Sequence, residues 1–168
     1  MITPEDLLGR RLAQVTTSWH HHREDEPSLL HMWLRLDGLG PVRFHTAGGD
    51  LPLMEIDEPH GPYDMDEYGR VTVEHDLPGF PLTGYAGERI VSVREVRQSY
   101  RHLDIPVGLA LRFESGGVSV LDLGDDLVVT PDRRPDPVEG LIEGRFHGVP
   151  AGGPGSPGPT APAGSGSS

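Results

Sequence analysis

The chain has no cysteine and no lysine. Without thiols it forms no disulfide, no thiolate metal site and no cysteine nucleophile, an absence that fits a reducing compartment. Without lysine, all 14 basic residues are arginine, which reads as the codon bias of a GC-rich genome rather than as a device for gripping phosphate. No apolar run approaches the roughly 20 residues of a membrane span. The N-terminus, Met1-Ile2-Thr3-Pro4-Glu5-Asp6, is acidic where a secretory leader is basic. A cytoplasmic chain, neither secreted nor inserted, is the expectation.

Catalytic signatures are missing too. Ser18, Ser28, Ser92, Ser99, Ser115 and Ser119 sit in no nucleophile elbow, and the glycine-rich pieces make no Walker or dinucleotide fingerprint. No cofactor is expected, and the balance leans away from an enzyme.

Present in excess is negative charge. The net charge is −12 over 168 residues. Up to residue 130 there are 22 acids against 11 arginines, so the excess belongs to the part expected to fold. A field of that sign repels nucleic acid and anionic membranes, both of which require basic groups on the protein. It favours a basic protein partner, or serves solubility alone.

From Pro131 the composition shifts to turn formers, and 148–168 carries no charge and little besides Gly, Pro, Ala, Ser and Thr. Such a segment buries too little apolar surface to offset its ordering entropy. The expectation is one β-rich domain over 1–130, followed by linker and disordered tail over 131–168. Within that stretch Val138, Leu141, Ile142 and Phe146 suit a docking strand or short helix, although plain linker is the preferred reading.

An internal echo runs at a spacing of 76 to 78 residues. Gly9-Arg10-Arg11-Leu12-Ala13-Gln14-Val15 matches Gly87-Glu88-Arg89-Ile90-Val91-Ser92-Val93, and Leu34-Arg35-Leu36-Asp37 matches Leu111-Arg112-Phe113-Glu114. Thr3, Pro4, Asp6 and Gly9 suggest a short capped helix over 4–8, with a weaker counterpart over 81–86. Strands follow at 11–19 and 89–97. Period-two alternation then places Met32, Leu34 and Leu36 on one face and Trp33, Arg35 and Asp37 on the other, echoed by Leu109, Leu111 and Phe113. Glycine-rich turns lead to third strands at 42–45 and 118–123, and Asp50-Leu51 and Asp126-Leu127 mark further short ones. The predicted fold is mainly β, an antiparallel barrel or sandwich of two pseudo-repeated βββ units (4–54 and 81–130), each led by a short helix. Between them lies an acidic insertion, 55–80, without a counterpart; its Arg70-Val71-Thr72-Val73-Glu74 returns to the sheet as a strand.

Three features stand out as candidate sites. Tyr63-Asp64-Met65-Asp66-Glu67-Tyr68 in the insertion brackets carboxylates with aromatics. Exposed tyrosines offer rigid contact area, and the acids steer toward Arg or Lys on a partner; alternatively the tyrosines fold back over an open end of the sheet. Its acids lack the spacing and central glycine of an EF-hand. Trp33, facing opposite Met32 and Leu34, is either stacked under Arg35, presented to a partner or covered by the insertion. The run His20-His21-His22 falls where two strands should join, which suggests a solvated hairpin tip; read chemically, His20 and His22 with Glu26 could ligate a divalent ion. The resulting expectation is a non-enzymatic binding or regulatory protein of inhibitor, immunity or adaptor type. It presents Trp33, Tyr63, Asp64, Asp66, Glu67 and Tyr68 to a basic protein partner. The alternatives are a metal-binding protein using His20, His22 and Glu26, or a barrel holding a small ligand between its halves.

Overall fold

In the computed structural model, residues 2–46, 51–124 and 126–131 are described, with the backbone alone at Tyr100 and 141–144. The chain is mainly β, in two antiparallel sheets. The first contains β1 (Leu12–His21), β2 (Ser28–Leu36), β3 (Gly40–His45), β4 (Leu53–Ile56), β5 (Tyr63–Asp64) and β6 (Arg70–His75), in the order β4-β3-β2-β1-β6-β5. The second contains β7 (Ile90–Tyr100), β8 (Leu103–Phe113), β9 (Gly117–Leu123), β10 (Asp126–Pro131) and β11 (Leu141–Gly144), in the order β10-β9-β8-β7-β11.

Each sheet is built on a four-strand meander, β1 to β4 and β7 to β10, in which each strand lies beside the previous one; glycine-bearing turns join β2 to β3 and β8 to β9, while the two-residue tip Arg101-His102 joins β7 to β8. The register of β1 against β2 shifts between Leu12 and Gln14 and again between Ser18 and Trp19. That of β7 against β8 shifts between Ile90 and Ser92 and between Val96 and Arg97. The meanders meet where Arg11 and Arg89 form an isolated antiparallel bridge. Around it Gly9 N–H donates to Ile90 O at 2.8 Å and Gly87 N–H to Leu12 O at 2.7 Å, while Ile90 N–H donates to Arg10 O at 3.0 Å and Leu12 N–H to Glu88 O at 2.8 Å.

The sheets enclose one core. Met32, Leu34 and Phe44 from the first face Val93, Leu109, Leu111 and Phe113 from the second, all essentially without solvent exposure. Alternation therefore identifies the inner residues of β2 and β8 correctly.

Three expectations need correction. The sheets do not close into a barrel; each keeps two edges. The helices expected over 4–8 and 81–86 are single 3-10 turns, Pro4–Leu7 and Thr83–Tyr85. Both segments are too short to repay helix nucleation, and each instead contributes one plug to the core, Leu7 and Leu82, both fully buried. The Thr3 and Asp6 reading does hold locally: Thr3 N–H donates to the Asp6 carboxylate at 2.8 Å, which keeps that carboxyl below its usual range. Finally, Leu141–Gly144 is a strand on β7 rather than linker. The rest of the expected tail lies outside the described residues. No helix among those described is long and apolar enough to cross a membrane.

Candidate functional site

The acidic insertion crosses the outer face of the first sheet. After β4 at one edge, an irregular strap over 57–62 passes over β3 and β2 and reaches β5 at the other edge. Five strand gaps separate those edges, about 24 Å on a flat sheet, close to the full reach of the connecting chain. The strap forms no helix, strand or turn over these residues, and its Pro59 and Pro62 favour an extended path. It is pinned by Asp57 N–H donating to Pro41 O at 3.1 Å, by Arg43 to Asp57 at 2.9 Å and by Arg35 to Glu58 at 3.0 Å.

Beneath it lies Trp33. Alternation correctly places this ring on the face opposite Met32 and Leu34, but it is only 1% exposed. A tryptophan presented to a partner is therefore not what the structure shows; the strap's His60 covers it edge-on at 5.1 Å. His31, two residues earlier on β2, packs against the same indole at 5.6 Å. The register that pairs Met32 with Phe44 also sets His45 of β3 against His31, their centroids 6.0 Å apart. His60 in turn touches His31 at 5.7 Å and Tyr63 at 5.4 Å. Burial, the Arg43 cation and the neighbouring His60 and His45 hold His31 down to about 4, against a weaker opposite pull from Asp57.

Tyr63 joins this cluster to the acidic turn. There Met65 N–H donates to Gly69 O at 2.8 Å and Tyr68 N–H to Met65 O at 3.0 Å, while Asp66 N–H donates to the Asp64 carboxylate at 2.7 Å. Asp66 adopts φ 54°, a left-handed conformation that an Asx-type turn tolerates. Gly69 has φ +99°, and a Cβ there would stand 2.0 Å from His21 O, so only glycine lets the turn sit this close to β1. The result is a pinned loop with Tyr63 45%, Met65 36% and Tyr68 64% exposed, and with Asp64, Asp66 and Glu67 all facing solvent.

The histidine run has a different place from the expected hairpin tip. His20 and His21 lie inside β1, paired with β6. His20 Nε2–H donates to Tyr68 O at 2.6 Å, so it anchors the acidic turn, and His21 contacts Thr72 Oγ1 at 2.7 Å. His22 stacks on His20 at 6.1 Å and lies 3.7 Å from Asp25, while Glu26 is exposed. Among the described residues no three His, Cys, Asp or Glu side chains are grouped to hold a metal ion.

Between the sheets, at the end marked by Trp19 and Phe80, an open crevice of about 600 Å³ is lined by Trp19, Leu29, Leu77, Phe80, Leu127 and Val129, with Ser28 and Asp126 among its polar neighbours. Trp19 and Phe80 meet edge-on at 6.2 Å.

Sequence reasoning missed His31, His45 and His60. The first two were accessible in principle, since His31 shares the period-two face of Trp33 and a meander register brings His45 alongside. His60 lies in an irregular segment whose path no periodicity encodes.

The class this geometry defines is an all-β protein of two sheets with a strapped outer face. Comparison with known proteins gives no match: no family model, no curated protein and no solved structure is similar to the chain.

Proposed function

We propose that the protein is a non-enzymatic binding protein that uses the 63–68 turn to engage a basic surface of a partner protein. The observation that carries this reading is the fixed presentation of Tyr63, Met65 and Tyr68 among three solvent-facing carboxylates. Binding loses affinity to the ordering of loops; here the hydrogen bonds within the turn, the His20 anchor and the close approach at Gly69 order the loop in advance. Aromatic side chains supply contact area and the acids supply steering and register. Trp33 supports the face from below, through His60 and Tyr63, rather than touching the partner.

Affinity capture from the native lysate with the wild-type chain and with an Asp64→Arg/Asp66→Arg/Glu67→Arg variant tests this. A specific partner lost by the variant supports the reading, and an unchanged set of captured proteins contradicts it.

The crevice favours a second reading, a small apolar ligand held between the sheets. Its volume falls within the range of ordinary ligand pockets, roughly 300–1,000 Å³, and its walls are mostly apolar. Native mass spectrometry of freshly purified protein showing only the bare chain mass would count against it. The matching order of the two meanders and the corresponding places of their register shifts also support descent from one duplicated unit. On that view the strap and acidic turn were added to one copy alone.

A further inference from the structure

We propose that the strap over 57–62 is a proton-sensitive latch: protonation of His31 beneath it releases the strap from the sheet and uncovers Trp33. Six buried side-chain nitrogens among the described residues have no hydrogen-bond partner, and five of them belong to this one patch: His31 Nδ1, Trp33 Nε1, Arg43 Nε, His45 Nε2 and His60 Nε2. Native interiors leave few such groups, because each forgoes its hydration without compensation. Among the described residues, these unpartnered nitrogens gather where the strap crosses the sheet.

The charges facing this patch come from every element around it. β2 contributes His31, and β3 contributes Arg43 and His45. β4 contributes Glu55, the strap contributes Asp57 and His60, and β5 contributes Tyr63. Glu58 is engaged with Arg35. On the far side β1 presents Thr16 and Ser18, with His75 of β6 bonded to Thr16 at 2.9 Å. Both carboxylates nearest the patch, Glu55 and Asp57, are already paired with Arg43. Glu55 stands 3.7 Å from His45. His31 faces Arg43, His45 and His60, and a proton on it adds like charge in a desolvated setting; burial and these neighbours hold it down to about 4.

Opening returns the imidazoles to water, where His31 regains an ordinary value near 6.5. Since the open form then binds the proton more tightly than the closed form, acid drives opening. With the two values separated this far, a drop from pH 7.5 to 5 raises the opening constant on the order of tenfold after allowing for solvent screening. The strap is suited to local release: two of its six positions are proline, without N–H, and its anchors are one backbone hydrogen bond, two ion pairs and the His60 contact.

The latch belongs to the free chain, and its test needs no partner. In a Trp19→Phe chain, Trp33 is the sole tryptophan, and its acrylamide quenching is followed from pH 7.5 to 4.5 with far-ultraviolet circular dichroism as a check on the fold. The expected result is a several-fold rise in quenching between pH 6.5 and 4.5 with the β spectrum intact, abolished in a His31→Gln background. Quenching that stays flat until the spectrum collapses, or that rises equally in that background, overturns the proposal. Hydrogen exchange of the wild-type chain, corrected for the intrinsic pH dependence, decides independently of these substitutions. Protection lost at 57–63 ahead of β1 and β2 supports the latch, and protection lost everywhere together or nowhere contradicts it.

Discussion

The His60 ring stands edge-on against the Trp33 indole at 5.1 Å, so that together with His31 at 5.6 Å it covers a tryptophan that alternation turns outward. Removing it should therefore act locally. His60→Ala is expected to lower stability by about 1–2 kcal/mol, the scale of one aromatic pair together with part of its burial. At neutral pH it should shift Trp33 emission to longer wavelength in a Trp19→Phe chain. Unchanged emission would mean that another group covers the ring.

Gly69 combines φ +99° with a backbone approach that no side chain fits. Gly69→Ala is thus expected either to displace the acidic turn from β1 or to cost about 2 kcal/mol or more through backbone strain. Chemical denaturation reads the cost, and hydrogen exchange at 65–69 reads the displacement. A variant with wild-type values in both would show that the turn does not need this approach.

His31 makes stability depend on pH with a defined sign. Its folded value, about 4, lies below the ordinary 6.5, so the unfolded chain binds the proton first. Stability is fully present above about pH 6.5 and falls as the pH drops from there toward 4. About 1–2 kcal/mol is expected to be lost by pH 4.5 after allowance for partial solvation. Urea midpoints at pH 7.5 and 4.5, for wild type and His31→Gln, check this; the variant should lose less than the wild type over the same interval.

The turn joining β7 to β8 places Arg101 at φ 47° and His102 at φ 67°, left-handed at both central positions, as a type I′ hairpin requires. Neither residue favours that region, whereas Asn-Gly does. Arg101→Asn/His102→Gly is expected to raise stability by about 1 kcal/mol, seen as a higher melting temperature. A lower one would show that the side chains of this tip contribute more than their backbone strain removes.

The meanders were legible because their signals are local: alternation at 32–36 and 109–113, and glycine at the turns. The helices over 4–8 and 81–86 were misread because capping chemistry is also what a single 3-10 turn uses, and only tertiary packing decides whether a turn continues. Composition showed that Tyr63 and Tyr68 bracket the acids of this turn but left open whether they face solvent or fold back over the sheet; the structure exposes both. The burial of Trp33 could not be read, because it depends on where an irregular segment crosses a sheet, and nothing periodic in 57–62 records that path. His20 was legible as a reactive residue type and not as an anchor, since its partner is a backbone carbonyl 48 positions away.

Hydrogen exchange of the chain with and without its captured partner, at pH 7.5 and low salt, tests the binding face most directly. Protection confined to 63–69 and its support at His20, weakening as salt is raised, is the predicted result. Protection elsewhere, with 63–69 exchanging as in the free chain, would contradict it.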